Sequence, residues 1–69
     1  MTDRRTYTVT GMTCAHCVRS VTEEITEIDG VTDVAVDLPT GVVTVTSDGP
    51  LDATQVRAAV EEAGYALVP

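Results

Sequence analysis

A chain of 69 residues buries only about 60% of the surface its unfolded form exposes, which is enough for one domain and one small core. Hydrophobic residues make up 43% of it with no Phe and no Trp, so that core is built from Val, Ile, Leu, Ala and two Tyr. The formal charge of −7, from eleven acidic residues against four Arg and no Lys, argues against the cationic surface that a phosphate backbone needs and disfavours nucleic-acid binding.

Residues 6–10 alternate as Thr-Tyr-Thr-Val-Thr, which places Tyr7 and Val9 on one face of a first strand and threonines on the other. From Ala15 onward Val18, Val21, Ile25 and Ile28 step along one face of a helix, with Arg19, Glu23, Glu24 and Glu27 outside it, and Gly30 ends the run. Val31 to Leu38 returns to a two-residue period, Val34, Val36 and Leu38 opposite Asp33, Ala35 and Asp37. Pro39-Thr40-Gly41 breaks it, and Val42 to Ser47 forms the return strand of an antiparallel hairpin. After Asp48-Gly49-Pro50, a second helix starts at Asp52 or Thr54 and runs to Ala63 with Val56, Ala59, Val60 and Ala63 on its inner face; Gly64 closes it and Tyr65 to Val68 is the last strand.

The order strand, helix, strand, strand, helix, strand, with right-handed crossovers, predicts an α+β fold: a ferredoxin-like βαββαβ sandwich whose four-stranded antiparallel sheet carries both helices on one face. One domain is expected over residues 1–69. The two halves repeat in architecture only, because residues 48–51 carry no Cys. The chain is expected to fold without metal.

Both cysteines, Cys14 and Cys17, fall where the first strand gives way to the first helix. Thiolate sulfur is polarizable and prefers soft ions such as Cu(I) and Zn(II) to Mg(II) or Ca(II). Two sulfurs suit two-coordinate Cu(I), whereas a structural zinc site takes four ligands, and the chain offers only two Cys and one His. Cys14 is expected in the loop and Cys17 in the first helical turn, where free N–H groups and the helix dipole lower thiol pKa values. Gly11 allows a sharp bend out of the strand and Thr13 is the expected helix cap. An exposed pair of this kind suits a carrier that gives its metal to a second pair of thiols.

The wider stretch Gly11-Met12-Thr13-Cys14-Ala15-His16-Cys17 resembles the heavy-metal-associated domain family, which carries G-M-x-C-x-x-C after its first strand, and within it the CopZ-type bacterial copper chaperones. The resemblance extends through Gly30-Val31 to Gly64-Tyr65. It implies one Cu(I) held between Cys14 and Cys17 and passed by thiolate ligand exchange to a copper-transporting P-type ATPase, with no covalent chemistry on a substrate and hence no enzyme. Tyr65 reads equally as one of the few large core side chains and, by the resemblance, as a shield over the copper. Met12 reads as core filler and His16 as a solvent-facing neighbour that tunes the thiols. With no Lys in the chain, Arg19 and the helix dipole are left to neutralise an anionic bis-thiolate centre.

No apolar run approaches the roughly 18 residues of a membrane span and no signal-like start is present, so the cytoplasm is the expected compartment. A start at Met1 and an end just after the last strand point to a free-standing protein. The alternatives are a metal-binding domain of a larger transporter, a carrier of Zn, Cd or Hg, and, further off, a thiol–disulfide redox protein. Copper could also bridge two copies into a homodimer. The glutamates on the two outer helix faces read as solvated surface, with no nucleophile set or phosphate loop beside them.

Overall fold

The computed structural model describes residues 2–68; positions 1 and 69 of the expected single domain lie outside the described residues. Six elements follow in the order β1 (Asp3–Thr10), α1 (Ala15–Thr26), β2 (Val31–Asp37), β3 (Val42–Ser47), α2 (Ala53–Glu62) and β4 (Ala66–Val68). The strands form one sheet in the order β2-β3-β1-β4, and every neighbouring pair is antiparallel. This is the ferredoxin-like arrangement expected from the alternation of strand and helix periods.

One face of the sheet makes the core. Val9 from β1 and Val43 and Val45 from β3 pack with Val21 and Ile25 of α1 and Val56, Ala59 and Val60 of α2, so both helices cover the same side. Six of these side chains, Val21, Ile25, Val43, Val45, Val56 and Val60, have no exposed surface. Burial of each Val or Ile contributes about 1.5–3 kcal/mol relative to exposure. The other side of the sheet carries the alternating threonines, with Thr6 opposite Thr44 and Arg4 opposite Thr46.

Three elements depart from the sequence pattern, two of them strands. Strand β1 begins three residues earlier than its alternation indicates, because Asp3, Arg4 and Arg5 pair with Ser47, Thr46 and Val45. Pairing, unlike burial, leaves no hydrophobic signal in such a polar stretch. In β2 the register slips between Val31 and Asp33, so that Thr32 is an extra residue. The bulge turns Val31 onto the same inner side as Val34, three positions away, where both pack against the core; strict alternation would have put it outside.

Helix α1 also ends sooner than its apolar stepping implies. Thr26 is its last residue and Glu27 its C-cap, while Ile28 still reaches the core from the turn that follows. At the tip of the β2–β3 hairpin, Gly41 has a φ of +76° and accepts a 2.8 Å hydrogen bond from the Val9 amide. A Cβ there would lie 2.7 Å from the Val9 carbonyl oxygen, so only glycine lets the hairpin clamp the end of β1. That end leads directly into the cysteine loop.

Candidate metal site

The chain leaves β1 at Gly11, whose φ of +93° belongs to the left-handed region. Met12 turns inward and packs against the core, and Thr13 is exposed. Helix α1 then begins with Cys14 rather than Thr13 as its N-cap. Cys14 has extended backbone angles, φ −157° and ψ 173°, and its carbonyl accepts from the Cys17 amide at 3.1 Å and the Val18 amide at 3.3 Å. Its side chain makes no capping hydrogen bond. The expected threonine cap is absent because the helix starts one residue later, and a thiol is a poor substitute for the hydroxyl or carboxylate oxygen that usually accepts there.

The N-cap and third helical positions bring the two cysteines together. Their sulfurs are 3.5 Å apart and both thiols are free. Cys14 is exposed, whereas Cys17 retains 9% of its surface. This is the juxtaposition that the Cys-Ala-His-Cys spacing implies, since an N-cap side chain lies within reach of the third residue of its helix.

The thiol of Cys17 is pulled down from its ordinary value of 9.0 to about 6. The largest cause is a hydrogen bond from the Tyr65 hydroxyl; the Thr13 amide and the Cys14 thiol add to it, burial opposes it, and the Cys14 amide adds least. The Tyr65 hydroxyl responds in the opposite sense, its pKa raised first by that same bond, because the proton it donates is held more tightly.

Tyr65 arrives from the far end of the chain by way of a Schellman motif. After the C-cap Ala63, Gly64 takes a φ of +94°, its amide donates to Glu61 O at 2.9 Å, and the Tyr65 amide donates to Val60 O at 3.1 Å. The ring then lies across Gly11, where a Cβ would sit 3.3 Å from Tyr65 Cδ1. The ring packs against the core, the first of the two sequence readings, and its hydroxyl acts on the Cys17 thiol.

His16 is exposed on the first helical turn, as expected. Arg19 is exposed too, and it is not among the groups that hold the Cys17 thiolate. The sequence reading missed the Thr13 and Cys14 amides as individual contributors; Thr13 lies one residue before the N-cap, outside the helix. Among the described residues no group of three or more His, Cys, Asp or Glu side chains is placed to hold a metal ion. What remains is an exposed sulfur beside a nearly buried and readily ionised one.

The heavy-metal-associated domain model matches residues 6–66. The chain is 38% identical over 64 residues to copper chaperone CopZ of Bacillus subtilis (strain 168), covering 91% of this chain and 93% of that protein. It is 47% identical over 60 residues to copper-transporting ATPase 2 of Rhizobium meliloti (strain 1021); that match covers 87% of this chain but spans only 7% of the length of the ATPase. Among solved structures, a CopZ metallochaperone superposes with a TM-score of 0.90 at 36% identity, over 96% of this chain and 100% of the other.

Proposed function

The chain belongs to the heavy-metal-associated domain family, and from that premise we propose that it is a cytoplasmic carrier of Cu(I), a single domain over residues 1–69, that holds one ion between Cys14 and Cys17 and hands it to a copper-transporting P-type ATPase. The observation that carries the reading is the pair of free sulfurs 3.5 Å apart with no third His, Cys, Asp or Glu gathered round them among the described residues. Such a donor set suits an ion content with two soft ligands and leaves a closed zinc cage incomplete.

The two cysteines divide the work. Cys17, with its pKa lowered to about 6, is largely thiolate at neutral pH and provides an anchored ligand. Cys14 lies on the exposed side, where an incoming thiolate of the acceptor attacks the ion and displaces one sulfur at a time. Likeness to a copper chaperone over nearly its whole length and to a segment of a copper-transporting ATPase supports both the cargo and a structurally similar acceptor. Likeness to a copper chaperone over nearly its whole length supports reading the protein as a carrier and not as an enzyme.

The test is Cu(I) competition against a chromogenic chelator under reducing conditions, with Zn(II) titrated in parallel. The wild-type protein should take one Cu(I) per chain and prefer it to Zn(II), and Cys14→Ser and Cys17→Ser should each lose tight binding while keeping the fold. Unchanged affinity in both variants would sink the assignment. Light scattering with and without copper separates one ion per chain from an ion shared by a homodimer.

A further inference from the structure

The sheet covers itself with both helices on one face and leaves the other open. Cross-strand register sorts the open-face side chains into rows that run from β2 through β3 to β1: Asp33, Thr46 and Arg4; then Ala35, Thr44 and Thr6; then Asp37, Val42 and Thr8. Val68 of β4, a large hydrophobic side chain left exposed, extends the last row beyond Thr8.

An antiparallel sheet can show one face to water, so openness alone assigns nothing. Two features of this face go further. Its middle strand presents Thr46, Thr44 and Val42, an uncharged line of small side chains in a chain of net charge −7. The flanking strands carry opposite signs, Asp33 and Asp37 on β2 against Arg4 on β1. Asp33 and Arg4 end the same row, two strand spacings or about 9.6 Å apart, and neither enters an ion pair or a side-chain hydrogen bond among the described residues.

A two-fold axis along β3 answers both features at once. Rotation about it lays β3 of one copy over β3 of the other and turns β1 over β2, because β1 and β2 flank β3 on opposite sides. Arg4 of each copy then faces Asp33 of the other, which gives two reciprocal ion pairs of the self-complementary kind a two-fold interface requires. Thr6 faces Ala35, Thr8 faces Asp37 with a hydroxyl to donate to its carboxylate, and Thr44 and Val42 meet their own images. An Arg and an Asp side chain together span the roughly 10 Å between packed sheets.

We propose that this face binds a second copy of the chain in that register, back to back. The cysteine loop leads into α1 on the helix-covered side, so both loops stay outside the contact. The three overlapping strands make a patch about 14 Å wide and about 20 Å long, roughly a third of the 800 Å² or so that each partner gives to a standard interface. The dimer is therefore weak and forms at high protein concentration.

The test uses metal-free reduced protein with a thiol reductant and a chelator present, so that neither copper nor a disulfide links two chains. Sedimentation equilibrium across a range of concentrations should show a reversible monomer–dimer equilibrium. Amide resonances of Thr6, Ala35, Val42 and Thr44 should move with concentration while those of Cys14, Cys17 and α2 stay. Arg4→Asp and Asp33→Arg should each weaken the dimer roughly tenfold, even though the second lowers the net negative charge. The two changes combined cancel in net charge and should restore the dimer. Thr44→Arg sets like charges against each other on the axis and should abolish it. All three positions lie on the open face, exposed or half-buried, so the variants keep the fold, as far-UV circular dichroism checks.

A wild type that stays monomeric at every concentration, shifts confined to the helices or the cysteine loop, or a combined variant as weak as the single ones would each overturn the proposal. So would a face that never self-associates but responds to an added heavy-metal-associated domain of another protein, since its occupant would then be different. None of these outcomes touches the copper reading, which chelator competition decides separately.

Discussion

Helices α1 and α2 occupy matching places in the two halves of the fold, yet their first residues are used differently. At α2 the N-cap Asp52 accepts a 2.8 Å hydrogen bond from the Thr54 amide, a capping contact of the ordinary stabilising kind. At α1 the N-cap is Cys14, whose side chain caps nothing and stays exposed. Its helix start instead turns free amides toward the sulfur of Cys17. One half uses the position for its own stability and the other leaves it without a capping contact, so the repeat of architecture is not a repeat of local chemistry.

The comparison can be broken most directly at α2. Asp52→Ala should cost about 1 kcal/mol of folding stability and leave Cu(I) binding unchanged, as read by urea denaturation and chelator competition. An effect on metal binding there would show that the two helix starts are coupled.

The converse change is expected to be smaller. Cys14→Ser supplies the missing oxygen and should stabilise the metal-free protein by about 0.5 kcal/mol even as it removes a proposed ligand. A loss of stability in this variant would mean that the exposed thiol contributes to the fold in a way the open cap does not suggest.

The third change bears on pH dependence more than on stability at any one pH. The folded pKa of Cys17 is about 6, below its ordinary value of 9.0, so the thiolate's contribution to stability is fully present above about pH 9, fades as the pH falls and is gone below about 6. Tyr65→Phe removes the largest cause of that depression. The midpoint of Cys17 alkylation, followed in a Cys14→Ser background, should rise, and the slope of stability against pH between those limits should flatten. An unmoved midpoint would assign the depressed value to the amides of Thr13 and Cys14 alone.

Much of this could be read from residue order because both periods are simple. The two-residue alternation in Val42–Ser47 and the helical stepping of Val18, Val21 and Ile25 mark their own elements, and Gly64 marks a helix end by a backbone requirement few other residues meet. The bulge at Thr32 could not be read this way, since it arises from the register with β3. Nor could the polar start of β1, which is a strand because Ser47, Thr46 and Val45 lie beside it.

The cysteine stretch divides along the same line. That two sulfurs face one another follows from their spacing at a helix start, a local matter of backbone geometry. That Cys17 ionises below its ordinary range depends first on Tyr65, brought from the far end of the chain by α2 and its glycine turn to lie over Gly11. Local conformational preference acts over a few residues and is written in the order of side chains; the unequal fate of two neighbouring thiols comes from contacts that exist only once the sheet has brought distant segments together.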